Sequence, residues 1–285
     1  MAELAKKEGR KLKSLPPMAK VSPYIMVNRN GASNKIKDSL RTDEIDEYIR
    51  KKKAEGLTGF NMMHIFIAAY VQVVAKLPGL TRFLRGQRVY ARNGIEVVMV
   101  IKKEMTLESP DTCIKVPLAP NATAEDVYYA FEKAINDYRA EPSGSFDSAA
   151  KILNYIPGVL MKFTVWLLKL LDYFGLLPRF LTKLSPFHGS LFITSMGSLG
   201  IPVIYHHLYD FGNLPIFLAF GAKYKKNDLM DDGSVRRSHY VDYSLVLDER
   251  TCDGFYYAAA IKMFKSLMRH PEKLDIPPEP IEDIR

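Results

Sequence analysis

Residues 247–257, LDERTCDGFYY, place three acids, a guanidinium and a thiol within a few positions. An extended run ends at Asp248-Glu249-Arg250, and Asp253-Gly254 opens what reads as a helix, with Asp253 as its cap and Gly254 permitting a tight approach. Such an arrangement suits acyl transfer, in which a base removes the proton of an attacking thiol or hydroxyl. The candidate base is Glu249. A thiol titrates near ~8.5 and a solvated Glu near ~4.3, so Glu249 becomes useful only if burial raises it. The plainer alternative is an ion pair to a nearby Arg or Lys. Cys252 reads either as a nucleophile or as a small buried hydrophobe.

A second group lies upstream, in LFITSMGSLGIPVIYHHLYDF. Ser195, Gly197 and Gly200 form a Ser-x-Gly-x-x-Gly bend. A hydroxyl there can donate to a developing oxyanion, with Thr194 as the neighbouring alternative, or it can be a turn residue only. His206 and His207 could supply a base in place of Glu249; on a strand at most one of the two would face a site. The spacing of His, Cys, Asp and Glu suggests no metal, and no Walker or Rossmann glycine loop is present.

Helices and strands must carry these groups. Residues 1–20 read as a basic, irregular arm, and 22–40 as extended and turn-rich. TDEIDEYIRKKKAEG is a helix capped by Thr42. Residues 61–79 form a buried helix capped by Asn61. RVYARNGIEVVMVIKKE reads as a hairpin turning at Asn93-Gly94, TCIKVPLAP as a strand, and 123–141 as a helix capped by Thr123. Two strands follow around the Gly-rich bend. SHYVDYSLVLDE alternates as a third, and a last helix runs from about Asp253 to Met268. The order predicts one α+β domain over residues 21–285, with a mixed sheet and helices on one side.

Between Ile152 and Leu184 the chain is dense in Leu, Phe, Tyr and Trp166. Pro157 can start a helix there and Gly175 can end it. Lys162, Lys169 and Asp172 share one face of that helix, and each charge would cost roughly 2.5–3.5 kcal/mol at mid-membrane. The reading favours a helix packed on protein, then one lying in a membrane surface, over one that spans.

The motifs together resemble the catalytic domain of the 2-oxoacid dehydrogenase acyltransferases (E2), whose fold chloramphenicol acetyltransferase shares. Their Asp-His-Arg-x-x-Asp-Gly corresponds here to Asp248-Glu249-Arg250-Thr251-Cys252-Asp253-Gly254, with Glu in place of His. Ser195, Gly197 and Gly200 match the family's bend with one residue fewer. The chain is also similar to a bacterial branch of the superfamily in which Glu replaces the motif His. The resemblance covers about residues 22–275, and residues 150–186 look like an insertion. It implies a two-layer sandwich, a homotrimer with its active site between subunits, and coenzyme A or acyl-CoA as substrate. It further implies Glu249 in the position of the base and Ser195 as oxyanion donor. Asp253 would pair with an Arg from the N-terminal part of the fold, for which Arg29 is the candidate, and Arg250 would make a structural pair. No lipoyl or subunit-binding domain precedes the core in this sequence, so ordinary dehydrogenase-complex work in cis is not expected. The alternative is a catalytically inactive trimeric scaffold that engages a partner or membrane surface through residues 156–175.

Bulk properties fit these readings. The 285 residues are 47% apolar and 25% charged, enough for a sizeable core and a polar surface. Cys113 and Cys252 are too few for a disulfide framework, and the first residues show no apolar run, so a cytoplasmic protein is expected. The net charge is +8. No aromatic residues interleave the N-terminal bases, which argues for a solvated tail rather than a nucleic-acid surface.

Overall fold

The computed structural model of the protein describes residues 8–102, 111–140 and 155–283. In chain order its elements are β1 (Gly9–Lys11), α1 (Pro17–Ile25), β2 (Ser33–Arg41), α2 (Asp43–Ala54), α3 (Met62–Lys76), β3 (Phe83–Arg85), β4 (Arg88–Arg92), β5 (Ile95–Lys102) and β6 (Asp111–Leu118). They continue with α4 (Ala124–Ala140), α5 (Gly158–Tyr173), α6 (Arg179–Leu184), β7 (Leu191–Ser195), β8 (Ile216–Phe220), β9 (Tyr224–Leu229), β10 (Val235–Asp248) and α7 (Gly254–Arg269).

The large sheet runs β2-β10-β8-β7-β5-β6. β7 lies parallel to β5 and β8, and the other pairs are antiparallel. The sheet is mixed and the class is α+β, as the element order predicts. Alternation along each strand sorts two faces. Leu191 and Ile193 of β7, Leu218 and Phe220 of β8, and Val97 and Met99 of β5 join the main core beneath the helices. Phe192, Phe217 and Val98 point the other way. In the main core, Phe66 of α3 stacks on Phe220 at 4.8 Å and packs against Phe264 of α7. The second face is covered by irregular chain rather than a helix: Leu208 and Leu214 close over Phe192, Phe217 and Val246.

Local signals explain several helix ends. Asn61 Oδ1 accepts from the Met63 amide at 3.0 Å, and His64 Nδ1 accepts from the Asn61 amide at 3.1 Å, a reciprocal cap for α3. Thr123 and Asp126 cap α4 in the same manner. Thr42 makes no such cap; its hydroxyl donates to Asp46 instead.

Two expectations fail. Asn93-Gly94 does not turn a hairpin: β4 pairs with β1 and β3 in a separate three-stranded sheet, whereas β5 pairs with β6 and β7. A two-residue hairpin of the Asn-Gly type needs positive φ at both residues, and neither has it. The basic arm is not irregular over its described part. Gly9–Lys11 adds a strand to β4, α1 follows, and Leu12 and Leu15 bury themselves against Val89 and Ala91.

Helix α5 begins after Pro157 and ends before Gly175, whose φ of +69° closes it. None of its residues is fully buried. Its C-terminal end is tied down: Asp172 faces the buried His188 at 3.3 Å, and the Tyr173 hydroxyl donates to Gln87 Oε1 at 2.9 Å. Among the described residues, no helix is long and apolar enough to cross a membrane.

Candidate active site

The motif at the end of β10 is held by Asp248, which is 2% exposed. Its carboxylate accepts from Arg250 Nε and Nη2, both at 2.8 Å, a bidentate geometry. Arg250 Nη1 donates onward to the carbonyls of Met26 and Val27 at 3.1 and 3.2 Å. Arg29 Nε stands 3.5 Å from the same carboxylate. Its remaining nitrogens donate to the carbonyls of Tyr209 and Gly212. Burial pulls the Arg29 guanidinium below its ordinary pKa, and the charge of Asp248 opposes this. The expected Arg29–Asp253 pair is therefore not made. Asp253 is exposed and caps α7, its Oδ1 accepting from the Tyr256 amide at 2.9 Å. Gly254 meets no close neighbour within the chain, so the tight approach expected there is absent.

Glu249 emerges from this knot onto the surface. Its amide donates to the Ala32 carbonyl at 2.9 Å. Its side chain is exposed and makes no ion pair among the described residues. Neither sequence alternative holds in the single chain: the carboxylate is not buried and it is not paired. Cys252 is buried, and its Sγ donates to the Gly79 carbonyl at 2.8 Å. Burial pushes this thiol up to about 12, which fits a packed hydrophobe and not a nucleophile.

Ser195 ends β7 and Thr194 precedes it. Both are half-buried, and the pleat sends their side chains to opposite faces of the sheet. The bend after them is forced by close backbone contact. A Cβ on Gly197 would lie 2.7 Å from the Gly221 carbonyl oxygen, and Gly200 adopts φ +71°.

Strand register separates the two candidate groups. Ser195 lies beside Phe220, and Phe220 lies beside Tyr243. Glu249 is six positions beyond Tyr243 along β10. At about 3.3 Å per residue the two stand roughly 20 Å apart, at opposite ends of one sheet. A single chain does not bring Ser195 and Glu249 together.

His206 and His207 are not on a strand; they sit in the irregular cover of the second face. His206 stacks on Phe217 at 3.9 Å, and its Nε2 is buried without a partner. Burial and then His207 lower its pKa, so the ring is neutral at neutral pH. His207 is exposed against Tyr209. Phe217 pairs with Val246, so His206 lies toward the motif end of the sheet, on the face opposite the main core. Among the described residues no cluster of His, Cys, Asp and Glu could hold a metal ion.

Sequence reasoning treated Asp248 as one motif position among seven and missed it as the hub. The available signal was its spacing: an Asp two residues before an Arg, at the end of an apolar strand, can take that Arg bidentately.

No family model and no curated protein matches the sequence. Solved structures do match in fold. The probable dihydrolipoamide acetyltransferase of Listeria monocytogenes superposes with TM-score 0.56 at 14% identity, covering 94% of this chain and 96% of that chain. The cubic core of the pyruvate dehydrogenase multienzyme complex superposes with TM-score 0.58 at 12% identity, covering 93% and 94%. Chloramphenicol acetyltransferase superposes with TM-score 0.52 at 10% identity, covering 91% and 99%. The chain has the fold shared by these acyltransferases, as its motifs imply.

Proposed function

We propose that the protein transfers an acyl group between coenzyme A, or another thiol carrier, and an acceptor, at a site completed between two copies of the chain in a homotrimer. The observation that carries this reading is the separation of Ser195 and Glu249 across one sheet. Two half-sites that cannot meet within a chain can meet if the β7 end of one copy faces the β10 end of its neighbour. An exposed, unpaired carboxylate on a rigid loop is then a group waiting for its surroundings. Cover by the second copy would remove it from water and place it to accept the proton of an attacking thiol. In this reading Glu249 is the base and the Ser195 hydroxyl donates to the oxyanion, with Thr194, on the other face of the strand, as the alternative donor. His206, neutral and with a free buried nitrogen, is the alternative base.

The test is an acyl-transfer assay by thiol release over a panel of acyl-CoAs and acceptors, with wild type beside Glu249→Gln, Glu249→His and His206→Asn. Turnover lost in Glu249→Gln and kept in His206→Asn assigns the base to Glu249; the reverse assigns it to His206. No turnover in wild type, with activity gained only in Glu249→His, overturns the enzyme reading. It would favour the second one, a catalytically silent scaffold. The exposure of Glu249 and of one face of α5 supports that second reading.

A further inference from the structure

Helix α5 is mounted with an apolar face outward. Met161, Thr164, Leu168, Leu171 and Asp172 are half-buried toward the body of the protein. On the other side Val159, Leu160, Phe163, Trp166, Leu167 and Leu170 are exposed, Phe163 and Trp166 by 55% each. At about 100° per residue these six span roughly 120° of the helix surface. This is a wide apolar face for a protein surface, and Phe174 at its end and Phe180 on α6 are exposed as well.

Charge says what covers it. Lys162 and Lys169 lie together at one edge of the apolar arc, and Arg179 and Lys183 follow on α6; all four are exposed. Between Tyr155 and Phe187 the only acid is Asp172, and its carboxylate is turned inward to His188. Over residues 155–187 the exposed charges beside these aromatic and aliphatic groups are therefore all positive. A second copy meeting it antiparallel about a two-fold axis would set lysines near lysines, and Lys is depleted in protein interfaces. At about 1.5 Å per residue the 16-residue helix is too short to span a bilayer. Lying flat, it would put Phe163 and Trp166 at the acyl boundary and let the lysines reach anionic headgroups.

We propose that α5 docks the protein on the surface of an anionic membrane, whether or not the acyl-transfer site is active. The chain carries its own reporter, because Trp166 is its only tryptophan. The experiment mixes the full chain with vesicles of phosphatidylcholine alone or with added phosphatidylglycerol. It follows Trp166 emission and co-sedimentation, with size-exclusion light scattering on the same samples. The expected result is a blue shift and sedimentation with the phosphatidylglycerol vesicles. Binding should fall about tenfold or more in Lys162→Glu/Lys169→Glu and be lost in Phe163→Glu/Leu170→Glu. The exposed positions leave folding intact, checked by unchanged circular dichroism. Failure to bind either vesicle overturns the proposal. If Phe163→Glu/Leu170→Glu instead dissociates an oligomer, the face is an interface between copies. Equal binding to both vesicles overturns the anionic preference.

Discussion

Asp248 and Arg250 form a bidentate pair across two residues of one chain, at 2.8 Å for each bond, with both side chains almost wholly buried. Arg250 then holds the chain at Met26 and Val27, and Arg29 brings Tyr209 and Gly212 to the same carboxylate. One acid thus joins three segments distant in sequence and fixes the loop that carries Glu249. Removing it leaves two buried guanidinium groups without their counter-charge. We predict that Asp248→Ala lowers unfolding stability by about 3–5 kcal/mol, measured by urea denaturation. Asp248→Asn, which keeps one acceptor, should lose less.

The proposed sharing of the site between chains predicts complementation. Ser195→Ala and Glu249→Gln should each abolish turnover alone. Random mixing of the two variants within a closed trimer leaves about a quarter of the interfaces with both native residues. Co-expressed, differently tagged chains, purified as mixed oligomers, should recover activity of that order. No recovery from verified mixed oligomers would exclude a site shared between copies.

Cys252 should resist modification. Its thiol is buried, donates to Gly79 and is held near 12 by burial. Ellman's reagent should react with it only after denaturation, and Cys252→Ala should retain whatever turnover the wild type shows. Rapid labelling in the native state, or turnover lost in Cys252→Ala, would restore it as a nucleophile.

Lys115 of β6 supplies a stability change with pH. Burial brings its ammonium down to about 8, and its Nζ donates to the Thr182 carbonyl at 2.7 Å. The folded protein thus gives up this proton at lower pH than the unfolded chain does. Between about 8 and the ordinary lysine value the unfolded state binds more protons, so this residue makes stability rise with pH across that window. Below 8 the buried charge costs about 3 kcal/mol. Lys115→Met should therefore be more stable than wild type at pH 7 and lack the rise above pH 8, read from urea midpoints at each pH.

What the sequence revealed was mostly local. Asn61 announced α3 because its cap bonds lie within three residues, and Asp253 announced α7 for the same reason. An uninterrupted apolar run marked β8, and alternation marked the inner part of β10. Pairing at a distance was not legible. Nothing near Asn93 showed that β4 and β5 belong to different sheets, and the partner of Arg29 depended on which of two motif acids turned inward. The distance between Ser195 and Glu249 follows from the register of β7, β8 and β10, which no single strand encodes. The histidines were misplaced because an apolar run bounded by glycine reads as strand, whereas residues 201–209 lie across the sheet instead of joining it.

Strand β10 has two different surroundings along its length. From Tyr243 to Leu247 it lies between β2 and β8, deep in the large sheet, while from Val235 to Ser238 it pairs with β9 alone, in an exposed ribbon. An isolated two-stranded ribbon is marginal in water. One continuous strand therefore spans two cooperative units. Its outer amide hydrogens should therefore exchange through local opening and its inner ones only with global unfolding, a difference that hydrogen exchange would measure. The β9–β10 ribbon can thus fray, or be cut by a protease, while the end of the same strand goes on holding Asp248 in place.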